Sequence, residues 1–388
     1  MAATLLAPGR FVIHNVPRIT DVTHMADILR AMGVAVRLHD HTLTIDVPDE
    51  IVPEAPYELV EQMRASIVVL GPLLARCGEA RVALPGGDDF GPRPIDLHVR
   101  GLQDLGASFS TRRGFIIGDA PQLVGARIVL EFPSVGATEN LMMAAVLAKG
   151  ITVIDNAARE PEISDLVAFL NRMGASIVGA GTSTITVEGV ETLAPVEHSV
   201  IPDRIEAATF LAALAIAGGE ITLAGARPDH MDMLMLKLGE MGVRISPVGD
   251  GIWALQSRRL RAVDVSTLPY PGIATDYKPL FVAMLSVADG TGIVTENLFS
   301  GRFRYIDELI RMGAQIRTDG HHAVVRGQSM LSGAPVRAHD IRAGAALAVA
   351  ALQAEGETLI TDAHHIERGY EDFVGKLRSI GADIERVE

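Results

Sequence analysis

Residues 83–98 read Ala-Leu-Pro-Gly-Gly-Asp-Asp-Phe-Gly-Pro-Arg-Pro-Ile-Asp-Leu-His and put two carboxylates and an arginine on one loop. An apolar strand, Arg81 to Leu84, runs into Pro85, Gly86 and Gly87, which cannot continue it. Asp88 and Asp89 follow, then Gly91, Pro92, Arg93 and Pro94, and a helix is predicted to begin near Ile95. Glycine lets backbone approach a ligand closely, while proline limits how a loop can move. Asp88, five residues before Arg93, suggests proton transfer beside an anion clamp. The same residue types also make an ordinary solvated turn.

A second set of charges stands where apolar helices begin. Arg64, Asp203-Arg204, Asp276-Tyr277-Lys278 and Asp340-Ile341-Arg342 head four helices that are otherwise almost wholly apolar. Acids at a helix N-terminus act as caps, but cations there oppose the helix dipole by some tenths of a kcal/mol. Taken singly, each arginine is a surface ion-pair partner. At equivalent positions in successive units, they converge on a phosphate or carboxylate, which free helix N–H groups also favour. Ser134-Val135-Gly136-Ala137-Thr138 heads a further helix with the small polar character of a phosphate cradle.

The elements that position these residues repeat. Met32-Gly33, Leu105-Gly106, Met173-Gly174, Met241-Gly242, Met312-Gly313 and Ile380-Gly381 each end a helix and lead into a short alternating strand. The glycines lie 73, 68, 68, 71 and 68 residues apart, which marks a six-unit repeat protein. From the second on, each unit holds an all-round apolar helix (Ala65–Ala75, Asn140–Ala148, Ala207–Ala217, Pro279–Ala288, Ala343–Leu352). A helix without a polar face belongs in a core. Each also holds an amphipathic helix that ends at the glycine: Pro94–Leu105, Pro161–Met173, His230–Met241, Tyr305–Met312 and Tyr370–Ile380. A strand runs between the two, and a hairpin follows the glycine, turning at Gly249-Asp250-Gly251 or Asp319-Gly320. Buried helices with sheets outside them predict an α/β fold of two inside-out barrel domains, each of three βαβαββ-type units. The helix-free stretch Thr192–Pro202 sets the boundary, giving domains over 1–202, with the loop 85–93, and 203–388.

The first unit is expected to be short. The spacing from helix head to glycine puts its helix start just before Met1, and Ala2 to Gly9 read as the end of a buried helix. The sixth unit reaches Glu388 after a single strand. On this reading Met1 is an internal methionine, and the chain from Met1 is unable to catalyse its reaction.

Composition narrows the partners. The chain has 48 acidic and 34 basic residues, a net charge of −14, which argues against non-specific nucleic-acid or anionic-membrane binding. Cys77 is alone, so there is neither a disulfide framework nor a thiolate metal site; at a helix end, it is expected to pack. His321-His322 and His364-His365 are expected to point to opposite faces of strands, not to bind metal together. Met1 to Ala7 is too short and uncharged for a signal peptide, and the apolar run Ala343 to Leu352 falls short of a membrane span. These features predict a soluble cytoplasmic protein.

With these motifs, the chain resembles the UDP-N-acetylglucosamine enolpyruvyl transferases of the EPSP synthase superfamily. The likeness rests on Met63-Arg64-Ala65-Ser66, Leu84-Pro-Gly-Gly with Arg93-Pro-Ile-Asp-Leu-His98, Ser134-Val-Gly-Ala-Thr138 and Asn156-Ala-Ala-Arg-Glu-Pro-Glu162. Pro202-Asp-Arg-Ile-Glu206, Thr275-Asp276, Asp340-Ile-Arg342 and His365-Ile-Glu-Arg-Gly-Tyr-Glu371 extend it to the second half. The resemblance implies two inside-out α/β domains with a cleft between them. It implies transfer of enolpyruvate from phosphoenolpyruvate to the 3′-hydroxyl of UDP-N-acetylglucosamine, by addition and then elimination of phosphate, with no metal or other cofactor. The product feeds peptidoglycan synthesis, hence cell wall biogenesis, cell shape, cell cycle and cell division. The implied partners are these two small molecules, with no nucleic acid and no membrane.

Carried over residue by residue, Asp88 falls where most of the family has cysteine, the acid that protonates the phosphoenolpyruvate methylene. Asp276 matches the carboxylate beside the sugar hydroxyl, a candidate general base. Arg93 and Arg368 match residues around the phosphoenolpyruvate anions, Arg342 a neighbour of that site and Arg64 a substrate-cleft arginine. Pro94, Ile95, Asp96 and Leu97 match the uridine-binding turn, Ser134 and Val135 the diphosphate cradle, and Leu298 a sugar-side contact. A carboxylate in place of the cysteine implies insensitivity to fosfomycin. Three departures stand out: the family's Lys-Asn pair would fall upstream of Met1, Phe132 replaces a frequent lysine, and Gly301 a frequent asparagine. Two other readings share these features: transfer to shikimate 3-phosphate, or a truncated, catalytically silent paralogue that binds UDP-sugar.

Overall fold

Six glycines close six helices in the left-handed region, where any other L-residue would cost roughly 1–2 kcal/mol. In the computed structural model, which describes residues 1–86, 95–299 and 301–387, their φ angles fall between 90° and 105°. The helices they close are Thr20–Ala31, Asp96–Asp104, Pro161–Arg172, Asp232–Met241, Tyr305–Arg311 and Phe373–Ser379. The repeat read from the Met-Gly and Leu-Gly junctions is therefore a structural repeat.

Contacts divide the chain into two compact units, residues 1–86 with 95–201, and residues 202–387. In the first, three sheets follow one plan: a short strand pairs parallel with the strand that opens a repeat, and a hairpin continues the sheet antiparallel. Glu54–Ala55 lies beside Glu79–Ala83 in this way, and Arg127–Val129 beside Ile151–Asp155. The third sheet closes the unit on itself, because Glu197–Ser199 pairs parallel with Gly9–His14, Val12 opposite Glu197. Inside lie the 3₁₀ turn Ala2–Leu6, the helix over residues 64–77 and the helix Val135–Ala145, with Leu70, Leu73 and Leu141 excluded from solvent. In the second unit the helices Arg204–Ala217, Lys278–Val287 and Ile341–Ala351 pack on one another, and all of Lys278–Val287 is buried. Alanines at 343, 345, 346, 348 and 350 let these helices approach; a larger side chain there would overpack the core by about 1–3 kcal/mol. Helices inside and sheets outside give the inside-out α/β architecture predicted.

Three details depart from the sequence reading. The helix at residues 64–77 is not regular: Arg64–Val69 is 3₁₀ and only Leu70–Cys77 is α. Pro72, which cannot donate its own rung and crowds the carbonyl four residues back, accounts for the break. The strand expected after Gly381 does not form in the described residues 382–387. A lone strand without a partner leaves its backbone groups unpaired, which explains the loss. Neither histidine pair splits across a strand. His321 lies in a hairpin turn and His364-His365 opens a helix, so the rings sit together, with centroids 4.0 and 4.3 Å apart. Among the described residues no group of three or more His, Cys, Asp or Glu could hold a metal ion, and no helix is long and apolar enough to cross a membrane.

Candidate active site

In the first unit, an asparagine side chain repairs the irregular core helix. Asn140 Oδ1 accepts from Gly71 N at 2.6 Å and its Nδ2 donates to the Ile67 carbonyl at 2.9 Å. It thus fills the rung that Gly71 and Ile67 would share in a regular helix. Only glycine fits there, since a Cβ on residue 71 would lie 2.2 Å from the Asn140 carbonyl oxygen. The same Nδ2 reaches His98 Nδ1 at 3.0 Å. Because Oδ1 is taken by a donor, Nδ2 must donate, so His98 Nδ1 accepts and Nε2 carries the proton. Burial, and then the nearby Arg64 guanidinium, push His98 down to about 4, with Asp96 opposing. His98 is therefore a neutral N–H donor. It packs on the first turn of Val135–Ala145: a Cβ on Gly136 would lie 3.3 Å from its Cε1.

Six of the residues singled out from sequence lie on the elements around this imidazole. Arg64, half-buried, is the first residue of the 3₁₀ turn. Ile95 precedes the helix Asp96–Asp104, and Asp96 lies 3.5 Å from Arg100 one turn on. Ser134 caps Val135–Ala145, its Oγ accepting from Ala137 N at 3.3 Å, and Val135 is the first helical residue. Leu97, half-buried, packs against the core. Asp88, Arg93 and Pro94 lie outside the described residues.

The second unit gathers a denser group of charges. Asp276, just ahead of the helix Lys278–Val287, receives Arg302 Nη1 at 2.8 Å and Arg342 Nε at 3.2 Å. Burial alone would raise its carboxyl, but the two guanidiniums outweigh it and hold Asp276 well below the usual carboxylate range. Asp340 caps the helix that Arg342 enters, accepting from Arg342 N at 2.9 Å and Ala343 N at 2.8 Å. Arg342 lies over the Tyr370 ring at 5.5 Å, and the Tyr370 hydroxyl meets Thr209 Oγ1 at 2.8 Å. Arg368 is half-buried, one residue before Gly369, where a Cβ would lie 3.6 Å from Arg342 Nη1. Leu298 follows the strand Thr291–Thr295 and donates its N–H to Glu296 Oε1 at 2.8 Å. Asp276, Arg342 and Arg368 thus fall in one neighbourhood, with Leu298 tied to it through Glu296.

Arg302, His98 and Asn140 are the members that sequence reasoning passed over. Arg302 follows Gly301, and the signal for it was a cation next to a glycine after an apolar strand. Asn140 offered a plainer one, a carboxamide within an otherwise apolar core helix.

A profile of the EPSP synthase (3-phosphoshikimate 1-carboxyvinyltransferase) family matches residues 1–377. The UDP-N-acetylglucosamine 1-carboxyvinyltransferase of Corynebacterium jeikeium is 50% identical over 388 residues, all of this chain and 93% of that one. This chain belongs to the EPSP synthase family, on its UDP-N-acetylglucosamine 1-carboxyvinyltransferase branch. The Mycobacterium tuberculosis protein of the same name is 52% identical over 387 residues, covering all of this chain and 93% of the relative. Among solved structures of the EPSP synthase fold, the enolpyruvyl transferase NikO from Streptomyces tendae superposes with a TM-score of 0.89 at 26% identity. That match covers 99% of this chain and 92% of NikO. An EPSP synthase from Acinetobacter baumannii, with a TM-score of 0.72 at 17% identity over all of this chain and 94% of that one, shares the fold.

Proposed function

We propose that this chain transfers the enolpyruvyl group of phosphoenolpyruvate to the 3′-hydroxyl of UDP-N-acetylglucosamine and releases phosphate, the reaction that commits the sugar to peptidoglycan. The observation that carries this reading is identity of about half over the whole chain to transferases of that name. In the addition step the sugar oxygen bonds to C2 of phosphoenolpyruvate while C3 takes a proton. In the elimination step the C2–phosphate oxygen bond breaks and C3 gives a proton back.

Asp88 supplies the C3 proton, and Asp276 receives the hydroxyl proton. Asp276 is a weak base while Arg302 and Arg342 hold it. Its basicity recovers as these guanidiniums turn to the substrate's phosphate and carboxylate, so anion binding arms the base. Arg93 and Arg368 complete the anion contacts. Arg64, the neutral His98 donor, Ser134 and Val135 serve the diphosphate, Pro94 to Leu97 the uridine, and Leu298 the sugar. Two domains, 1–202 and 203–388, carry these sets. The protein works in the cytoplasm, where both substrates are made, and through peptidoglycan it serves cell shape and division.

Purified chain supplied with phosphoenolpyruvate should release phosphate with UDP-N-acetylglucosamine and not with shikimate 3-phosphate, and that release would overturn the expectation that the chain from Met1 is inactive. The sugar product should gain the mass of an enolpyruvyl group. Release with shikimate 3-phosphate alone would transfer the reading to that acceptor, and UDP-sugar binding without release would make it a silent binder.

A further inference from the structure

One buried charge pair has no part in the chemistry just described. Lys278 and Glu296 have no side-chain exposure, and Lys278 Nζ lies 2.8 Å from Glu296 Oε2. Lys278 opens a core helix, where a cation opposes the helix dipole and loses its hydration. Stability does not account for keeping it, since apolar residues of similar volume commonly replace buried ion pairs at no loss. What distinguishes the pair is the range of backbone it ties together.

Glu296 Oε1 accepts from Thr267 Oγ1 at 2.7 Å, Leu298 N at 2.8 Å and Phe299 N at 3.2 Å. Its Oε2 accepts from Thr275 Oγ1 at 2.7 Å. Lys278 donates to the Arg302 carbonyl and stands 4.1 Å from the centre of the Phe303 ring. Thr275 Oγ1 also accepts from Arg302 Nη1 at 3.1 Å. Three separate segments, at 267, 275–278 and 296–299 with 301–303, therefore meet on one pair of charges. Two of them carry Asp276, Leu298 and Arg302.

We propose that the Lys278–Glu296 pair is a positioning brace: it fixes the Arg302 backbone and the Leu298 turn relative to Asp276, so that the arginine meets the carboxylate in one geometry. Neither side chain reaches solvent or substrate. The role rests on the enolpyruvyl-transfer reading for what Asp276 and Arg302 do, but the placement of the Leu298 turn and the Arg302 backbone does not.

The test is the double variant Lys278→Met/Glu296→Gln, which removes both charges while keeping size and one carbonyl acceptor. Four readouts are compared with wild type: melting temperature, KM for UDP-N-acetylglucosamine, kcat for phosphate release, and the rate of tryptic cleavage after Arg302. The expected result is a folded protein with KM little changed, kcat lower by about 10²-fold and faster cleavage after Arg302, as suits misplacement of a catalytic group by about 1 Å. Wild-type kcat in the folded variant overturns the proposal, and so does an unchanged cleavage rate. Should the double variant not fold, Thr267→Val, which removes one donor to Glu296, carries the same two criteria with a smaller expected loss. If wild-type protein itself releases no phosphate, the transfer reading fails, and the cleavage rates alone decide the brace.

Discussion

Arg302 Nη1 stands 2.8 Å from Asp276 Oδ1 on a guanidinium side chain only 5% exposed. With Arg342 on the other oxygen, Asp276 is held as an anion, and each of its oxygens already accepts a charge-assisted hydrogen bond. Replacing Asp276 by alanine should lower turnover by at least the 10²–10⁴-fold typical of a lost acid or base, yet leave UDP-sugar affinity near wild type. Calorimetric titration alongside phosphate release checks this. Loss of UDP-sugar binding alone would make Asp276 a recognition residue.

The same ion pairs set a pH dependence. A carboxyl whose folded pKa is depressed contributes stability that is present above its unfolded value and is lost as pH falls through the folded one. Arg302→Met removes one of the two cations and lets Asp276 rise. The variant should be destabilised most at neutral pH, and the gap to wild type should narrow below about pH 4, the ordinary aspartate range. Urea midpoints from pH 3 to 7 measure it. A gap that does not change with pH would mean that Arg302 contributes packing, not charge.

If Asp88 donates the C3 proton as proposed, Asp88→Asn should cut turnover by about 10²–10⁴-fold with UDP-sugar binding retained. Near-normal turnover would shift the role to Asp89 or to solvent. Because a carboxylate is a far weaker nucleophile than a thiolate, fosfomycin should leave the enzyme active. Time-dependent inactivation, with a covalent mass gain on the peptide holding Asp88, would contradict this.

The fold was legible where backbone chemistry is local. A glycine after Met173 or Met241 announces a left-handed helix end by itself, and alanines running from 343 to 350 announce burial on all sides. Asp203 and Asp340 were legible as caps for the same reason: each accepts from N–H groups two and three residues on. The interior of the site was not. Lys278 looked like one more helix-head cation, because its partner Glu296 stands at the end of a strand whose approach no local pattern encodes. His98 had the same difficulty, its tautomer being set by Asn140 across 42 residues. The helix break at Pro72 was visible as a residue type, but Asn140 as its repair depends on tertiary packing.

His98 and Asn140 supply a prediction about acid. His98 has its folded pKa near 4 against about 6.5 unfolded, so between these values the unfolded chain binds more protons. Stability should fall as pH drops from 6.5 toward 4, and His98→Gln should flatten that slope. Asn140→Leu should cost about 1–3 kcal/mol for each of the two backbone groups it strands, Gly71 N–H and the Ile67 carbonyl. Denaturant titrations at pH 5 and 7 read both effects, and equal slopes in wild type and His98→Gln would show that His98 does not titrate in this range.

Lys278 supplies the opposite prediction, for alkali. Burial pushes its ammonium down to about 8, while Glu296 opposes the drop; Arg302 lowers it further and Asp340 raises it. Below that pH the ammonium holds both Glu296 and the Arg302 carbonyl. Above it the proton leaves, the charge pair is lost, and turnover should fall along an alkaline limb near pH 8. Stability moves the other way. Between about 8 and the ordinary lysine value near 10.4 the unfolded chain binds more protons, so this group's contribution to folding rises with pH. Activity lost to general unfolding would instead fall together with stability. In Lys278→Met/Glu296→Gln the limb near pH 8 should vanish, leaving a low turnover that does not vary across it. Its stability relative to wild type should decline as pH rises from 8 to 10. Turnover profiles and melting temperatures over that range separate the two behaviours, and an identical alkaline limb in wild type and variant would assign it to another group.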